Sequence, residues 1–264
     1  MNQDDVILET RHLRKEFGGL VAVADVSGKI RAQTFHSIIG PNGAGKTTFF
    51  NLLSGTLPPT SGQVLFKGRD ITNLPPYRIA HLGIGRSFQI TNIFPNLTVL
   101  ENIRLAAQAR GHDNFKLFQH FSSFSQYREK ALRTIEQVGL EDNILSLASN
   151  LAHGQKRKLE LGIMLAGDPE LLLLDEPTAG MSSEQVPELL RILRRIMDSG
   201  DKTIVLVEHR MDMVMSISDF ITVMHQGRVL AEGTPQEIAA NEQVQSAYLG
   251  ALYGDFSTEL EENR

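Results

Sequence analysis

The feature that most restricts the fold is the run Gly40-Pro41-Asn42-Gly43-Ala44-Gly45-Lys46-Thr47, which fits the pattern G-x-x-x-x-G-K-[ST]. Its flanks restrict the fold further. Phe35-His36-Ser37-Ile38-Ile39 reads as an apolar strand, and residues 45–54 read as a helix stopped by Gly55. A strand, a glycine-rich turn and a helix in that order let backbone N–H groups turn inward around an anion. The helix N-terminus adds partial positive charge at the same place. Lys46 has the reach to contact β- and γ-phosphates, and the Thr47 hydroxyl can ligate Mg²⁺. A surface lysine behind an ordinary turn could match the pattern by chance, but the strand and helix in place favour a phosphate site.

A matching second half lies in Leu171-Leu172-Leu173-Leu174-Asp175-Glu176. The unbroken apolar run predicts a strand covered on both faces. Such a strand would deliver Asp175 to the shell of a magnesium ion, with Glu176 one residue further as a general base for water. Around these pieces the last third alternates strand and helix. Thr203–Val207 reads as another buried strand, and Ser182-x-x-Gln185 is expected to cap a helix carrying Leu189, Leu190, Leu193, Ile196 and Met197. Ile221–Met224 and Arg228–Leu230 flank a His225-Gln226-Gly227 turn and predict a hairpin, followed by a helix start at Thr234-Pro235-Gln236-Glu237.

The N-terminal part reads as short strands, Val6–Leu8 and Val21–Val23 among them, punctuated by Gly18-Gly19 and Ser27-Gly28. The middle reads as helical. Thr98-x-x-Glu101 is a capping box, and Tyr127–Val138 places Ala131, Leu132, Ile135 and Val138 at helical spacing before Gly139. Residues 111–125 are polar and aromatic and carry no assignment. Strands alternating with helices imply an α/β protein with a mainly parallel sheet, into which the helical middle is inserted.

Composition narrows the function. The chain has 264 residues and no cysteine, which removes disulfides, zinc–thiolate sites and a cysteine nucleophile. A formal net charge of -5 argues against a dedicated nucleic-acid binder. No stretch approaches the ~18 uninterrupted apolar residues of a membrane span. The acidic start Met1–Val6 has no apolar segment behind it, so no secretory signal is expected.

Further marks stand in a fixed order. They are Gln89 in Gly85-Arg86-Ser87-Phe88-Gln89, the segment Leu151-Ala152-His153-Gly154-Gln155, and Ala179-Gly180-Met181-Ser182 behind Asp175-Glu176-Pro177-Thr178. His209 at the end of a strand and Phe17 ahead of the glycine-rich loop complete the set. Over about residues 6–250 this chain resembles the ATP-binding subunits of ATP-binding cassette (ABC) transporters. The resemblance implies a P-loop NTPase core with a mainly parallel sheet, an N-terminal antiparallel β subdomain and an inserted α-helical subdomain. Residues 6–88 and 166–240 would form the β subdomain and nucleotide-binding core, 89–165 the helical insertion, and 241–264 a C-terminal helix and acidic tail.

It also implies the site. ATP would lie on Asn42, Gly43, Ala44, Gly45, Lys46, Thr47 and Thr48, with Phe17 stacked on adenine. Mg²⁺ would be held by Thr47, Asp175 and Gln89. Glu176 would orient the attacking water, with Lys46, Gln89 and His209 (the switch histidine) completing the catalytic set. In a head-to-tail dimer, the signature residues Ala152, His153, Gly154 and Gln155 would cover the nucleotide of the second subunit. The usual signature is Leu-Ser-Gly-Gly-Gln, so Ala152 lacks a hydroxyl and His153 replaces a glycine, while Ser182 stands where many relatives have Asp.

Gly83–Gln89 with Phe94-x-x-Leu97-Thr98-Val99-Leu100-Glu101-Asn102, Glu208–Asp212 and Ala247–Gly250 resemble the ATPases of branched-chain amino acid importers. Ala152–Gln155 with Leu159–Gly162 leans toward the related urea and short-amide importers. Partners implied are two membrane permeases, a second ATPase (the same chain or another) and an extracytoplasmic substrate-binding protein, with no nucleic acid. That puts the chain on the cytoplasmic face of the inner or plasma membrane as a peripheral subunit. A soluble ABC ATPase acting on DNA or ribosomes usually carries two cassettes or long coiled-coil or basic insertions, and this chain has neither. A regulatory module that has lost hydrolysis is disfavoured by Lys46, Asp175, Glu176 and His209 standing together.

Overall fold

The computed structural model describes residues 6–87, 93–109 and 125–248. The chain forms two compact units, one of Met1–Pro76 with Thr203–Arg264 and the other of Tyr77–Lys202. The first unit opens with β1 (Val6–Phe17) and β2 (Leu20–Arg31), paired antiparallel. These are not the short pieces expected, and Ser27-Gly28 does not break β2. Irregularities are absorbed as bulges, which shift a ladder without ending it. His12 (φ 49°) and Asp25 (φ 59°) take left-handed conformations there, and their side chains meet at 2.8 Å. Then come β3 (Phe35–Ile39), α1 (Lys46–Leu53), β4 (Ser61–Phe66) and β5 (Arg69–Asp70). β4 joins the other edge of β1 and β5 joins β4, giving an antiparallel sheet in the order β2-β1-β4-β5.

The second unit holds α2 (Pro76–Leu82, straddling the boundary), β6 (Ile84–Arg86), α3 (Val99–Ala109), α4 (Ser125–Val138), α5 (His153–Ala166), β7 (Leu171–Asp175) and α6 (Val186–Asp198). β6 and β7 pair in parallel. The capping box ahead of α3 forms as read: Glu101 N–H donates to Thr98 Oγ1 at 3.2 Å and Thr98 N–H to Glu101 Oε2 at 3.1 Å. α3, α4 and α5 pack on one another through Val99, Ile103, Ala131, Ile135, Val138 and Leu159, all buried. Gly162 permits the approach, because a Cβ there would come 2.9 Å from Ile103 Cδ1. α6 starts at Val186, later than Ser182. Pro187 fits its first turn, where the missing N–H has no helical partner to lose. Ser182 and Gln185 instead close a turn, with Ser182 N–H donating to Gln185 Oε1 at 3.3 Å.

The chain then returns to the first unit with β8 (Thr203–Val207), α7 (Met211–Ile217), β9 (Phe220–His225), β10 (Arg228–Gly233) and α8 (Pro235–Ala239). β3 lies between β8 and β9, parallel to both, and β9 carries β10 antiparallel as the expected hairpin. Every residue of β3 and β8 is buried, which is why β8 reads as an unbroken apolar run from Ile204 to Val207, whereas β3 buries the polar His36 and Ser37 between its apolar ends. Ile39, Val214, Ile221, Val223, Ile238 and Val244 form a core against which Met211 and Met215 pack. The parallel pairs, the antiparallel sheet and the packed helices together make the α/β class expected. Among the described residues no helix is long and apolar enough to cross a membrane.

Candidate functional site

In the first unit the glycine-rich loop joins β3 to α1. Gly40 (φ 154°) and Gly45 (φ 94°) are required by close approach: a Cβ on Gly40 would sit 2.2 Å from Met224 O, and one on Gly45 2.3 Å from Ala22 O. Gly43 (φ 76°) faces open space. Lys46 is only 5% exposed, and its ammonium donates to Gly40 O at 2.8 Å and Pro41 O at 3.0 Å. Those bonds curl the loop around its own lysine. Thr47 is exposed and Thr48 half-buried at the start of α1, with Asn42 and Gly43 exposed on the loop and Ala44 buried. A cleft of about 840 Å³ runs beside the loop, bordered by Pro41, Asn42, Gly43, Gln226 and Glu242.

The loop is also held from outside. Gly227 N–H donates to Ala44 O at 3.0 Å and Ala24 N–H to Gly227 O at 2.7 Å, so the β9–β10 turn braces it. The Tyr248 hydroxyl is bonded by the Gly40 backbone, and burial pushes that phenol up to about 12. Sequence reasoning missed both braces. The only signal for Gly227 was the hairpin turn, and nothing marked Tyr248 as more than part of the C-terminal pattern.

In the second unit Asp175 ends β7 and is 3% exposed. Ser87 fixes its backbone, since Asp175 N–H donates to Ser87 Oγ at 2.9 Å and Ser87 N–H to Leu173 O at 2.9 Å. The Arg86 guanidinium is pulled down from its ordinary value by burial, with the Asp175 charge acting against that. Glu176 follows in a left-handed conformation at φ 46°. That turn throws the next residues out of the strand direction, and Ala179 N–H closes it onto Glu176 O at 3.0 Å.

The signature segment opens α5. Ala152 cannot accept from the helix, but Gln155 Oε1 accepts from Ala152 N–H at 3.0 Å, half of a capping box. Gln155 Nε2 donates to Asn143 Oδ1 at 3.0 Å. His153 and Gly154 lie against the 179–185 turn of the same unit.

His209 was expected to end a strand. In fact β8 stops at Val207, and the buried Glu208 intervenes and accepts from His209 N–H at 3.1 Å. His209 itself is exposed, in the first unit. Phe17 ends β1, 47% exposed, with the Lys15 ammonium 5.2 Å from its ring centre. Gln89 lies outside the described residues, as does nearly all of the unassigned 111–125 stretch.

The family profile described as "ABC transporter" matches residues 23–179, and that described as "Branched-chain amino acid ATP-binding cassette transporter" matches residues 228–252. The high-affinity branched-chain amino acid transport ATP-binding protein LivG of Salmonella typhimurium is 41% identical over 92% of this chain and 98% of its own. Its counterpart BraF of Pseudomonas aeruginosa is 39% identical, with 92% and 98% covered. Among solved structures, an ATP-binding cassette of an ABC transporter superposes with a TM-score of 0.81 at 30% identity, covering 92% of this chain and 98% of that one.

Proposed function

The chain belongs to the ABC transporter family, and from that premise we propose that it is the ATP-hydrolysing subunit of an importer of branched-chain amino acids. The observation that carries the cargo class is the match of residues 228–252 to the branched-chain amino acid profile, on top of the cassette match itself. That segment is not a passive tag here. It includes Tyr248, which bonds the first glycine of the phosphate loop.

The chemistry follows from the residue types. The loop N–H groups and Lys46 hold the phosphates and stabilise charge developing on the transferred phosphoryl group. Phe17 stacks on the adenine. Thr47, Asp175 and Gln89 offer a hydroxyl, a carboxylate and an amide oxygen, the hard oxygen donors that Mg²⁺ takes. An ion held by these donors would neutralise phosphate charge. Glu176 accepts the proton of the attacking water, and His209 contacts the γ-phosphate. Ala152, His153, Gly154 and Gln155, at the N-terminus of α5, meet the nucleotide of a second ATPase subunit, where the helix dipole favours anions. The missing hydroxyl at Ala152 removes one hydrogen bond of roughly 1 kcal/mol and leaves the backbone donors in place.

The partners proposed are two permeases, a second ATPase and an extracytoplasmic binding protein, with the chain peripheral on the cytoplasmic face of the membrane. The test is a tagged pull-down from detergent-solubilised native membranes, read by mass spectrometry. Two permeases and an ATPase are the expected companions, and the companion binding protein is expected to bind leucine, isoleucine or valine. A binding protein that takes urea or a short amide would move the cargo class. Ribosomal or DNA-repair companions without a membrane protein would overturn the transport role.

A further inference from the structure

Two side chains and two glycines of the second unit meet reciprocally. The imidazole of His153 lies over Gly180: a Cβ added to Gly180 would sit 2.9 Å from Cε1, 3.3 Å from Nε2 and 3.6 Å from Nδ1. The amide of Gln185 lies over Gly154, where a Cβ would sit 3.1 Å from Cδ and 3.2 Å from both Nε2 and Oε1. Each segment therefore lays one flat polar group on a residue of the other that has no side chain. The partners are themselves fixed. Gln185 accepts from Ser182 N–H at 3.3 Å, and Gly180 closes a turn at φ 75°. His153 is the first residue of α5, so its Cβ is held by the helix.

We propose that this interlock makes the signature segment 151–155 and the 179–185 turn one moving part, with His153 as the positioning residue that couples them. His153 and Gly180 are exposed, Gln185 is half-buried and Gly154 is buried, so a slide of either segment gives up the contact of the imidazole on Gly180 and of the amide on Gly154, or presses those groups into backbone. The consequence rests on the function proposed above, in which the signature segment meets the nucleotide of a second subunit, with the 179–185 turn packed against it. Their placement there is set jointly, in one subunit, before the second arrives.

The test is a double-mutant cycle on the full chain: parent, Gly180→Ala, His153→Ala and both together. Each is also made with Glu176→Gln, which traps an ATP-driven dimer by blocking turnover. Three quantities are measured: the melting midpoint, ATP affinity of the dilute monomer by a fluorescent analogue, and the ATP-driven dimer constant by light scattering. Gly180→Ala is expected to leave monomer ATP affinity within about twofold. It is expected to weaken the dimer at least roughly tenfold beside His153 and under about threefold beside His153→Ala. The melting cost of Gly180→Ala should shrink in the same background. Equal losses in both backgrounds would assign the effect to the left-handed backbone alone and overturn the interlock. A coupled melting cost with uncoupled dimer constants would overturn the positioning role while keeping the contact. A parent that forms no ATP-driven dimer would overturn the dimer reading beneath the proposal and its functional consequence with it, and the melting cycle alone would then decide the contact.

Discussion

Glu176 carries a left-handed backbone at φ 46° directly after a buried strand. A non-glycine residue held there costs on the order of 1–3 kcal/mol, and such strain persists where surrounding structure and function require it. Two substitutions separate the side chain from the backbone. Glu176→Gly is expected to gain roughly 1 kcal/mol of stability and raise the melting midpoint by a few degrees. Glu176→Gln should leave the midpoint where it is. Both are expected to lower phosphate release by at least roughly a hundredfold if the carboxylate is the general base. Glu176→Gln hydrolysing at the parent's rate would remove Glu176 from that role. At this scale the sequence was legible where chemistry is local: Lys46 and Asp175 stand out from their immediate neighbours. Ser87 and Tyr248 were not, because each acts on backbone far along the chain, and no neighbouring letter announces such a bond.

Among the elements, β3 carries its own titration. Its His36 is buried, and burial alone holds the imidazole down at about 4 against an ordinary 6.5. Thr222 Oγ1 donates to Glu232 Oε1 at 2.9 Å, so His36 Nε2, 2.7 Å from that hydroxyl, is the donor and the ring is neutral. The unfolded chain takes up this proton near pH 6.5 while the folded chain refuses it until about pH 4. Stability from this residue is therefore complete above pH 6.5 and falls as pH drops toward 4, by at most about 3 kcal/mol. Glu232, raised by burial, works in the opposite sense over the carboxylate range. Urea unfolding at pH 7 and pH 4.5 should show a larger loss for the parent than for His36→Asn, which keeps a donor toward Thr222. An equal loss would place the acid sensitivity elsewhere. β7 and β8 were readable because both their faces are covered, leaving four apolar letters in a row, and β3 because it runs straight into the glycine-rich loop. β1 and β2 looked shorter than they are, since bulges interrupt the alternation without ending the pairing. α2, β6 and α7 escaped notice because three to seven residues are too few to establish a period.

For the molecule as a whole, the first unit is assembled from both ends of the chain, and the phosphate loop depends on that. Gly227 braces Ala44, and a Cβ on it would fall 2.8 Å from Ala22 O at a φ of 75°. Gly227→Ala is thus expected to weaken ATP binding roughly tenfold or more, although it lies outside every phosphate-binding pattern, because misplacing binding groups by an ångström is that costly. Calorimetric titration with a non-hydrolysable analogue would show it, and unchanged affinity would mean that the loop stands without its brace. The same architecture sets an order of events during synthesis. β3 needs β8 and β9 beside it, and the loop needs the turn after β9, all supplied by residues beyond 202. If the loop needs this brace, a ribosome that has delivered the whole loop and its lysine has still made nothing that grips a nucleotide. The nascent chain then stays silent toward cellular ATP until its last quarter, from Thr203 on, emerges, so a truncated product would not compete for the energy supply that the finished subunit spends.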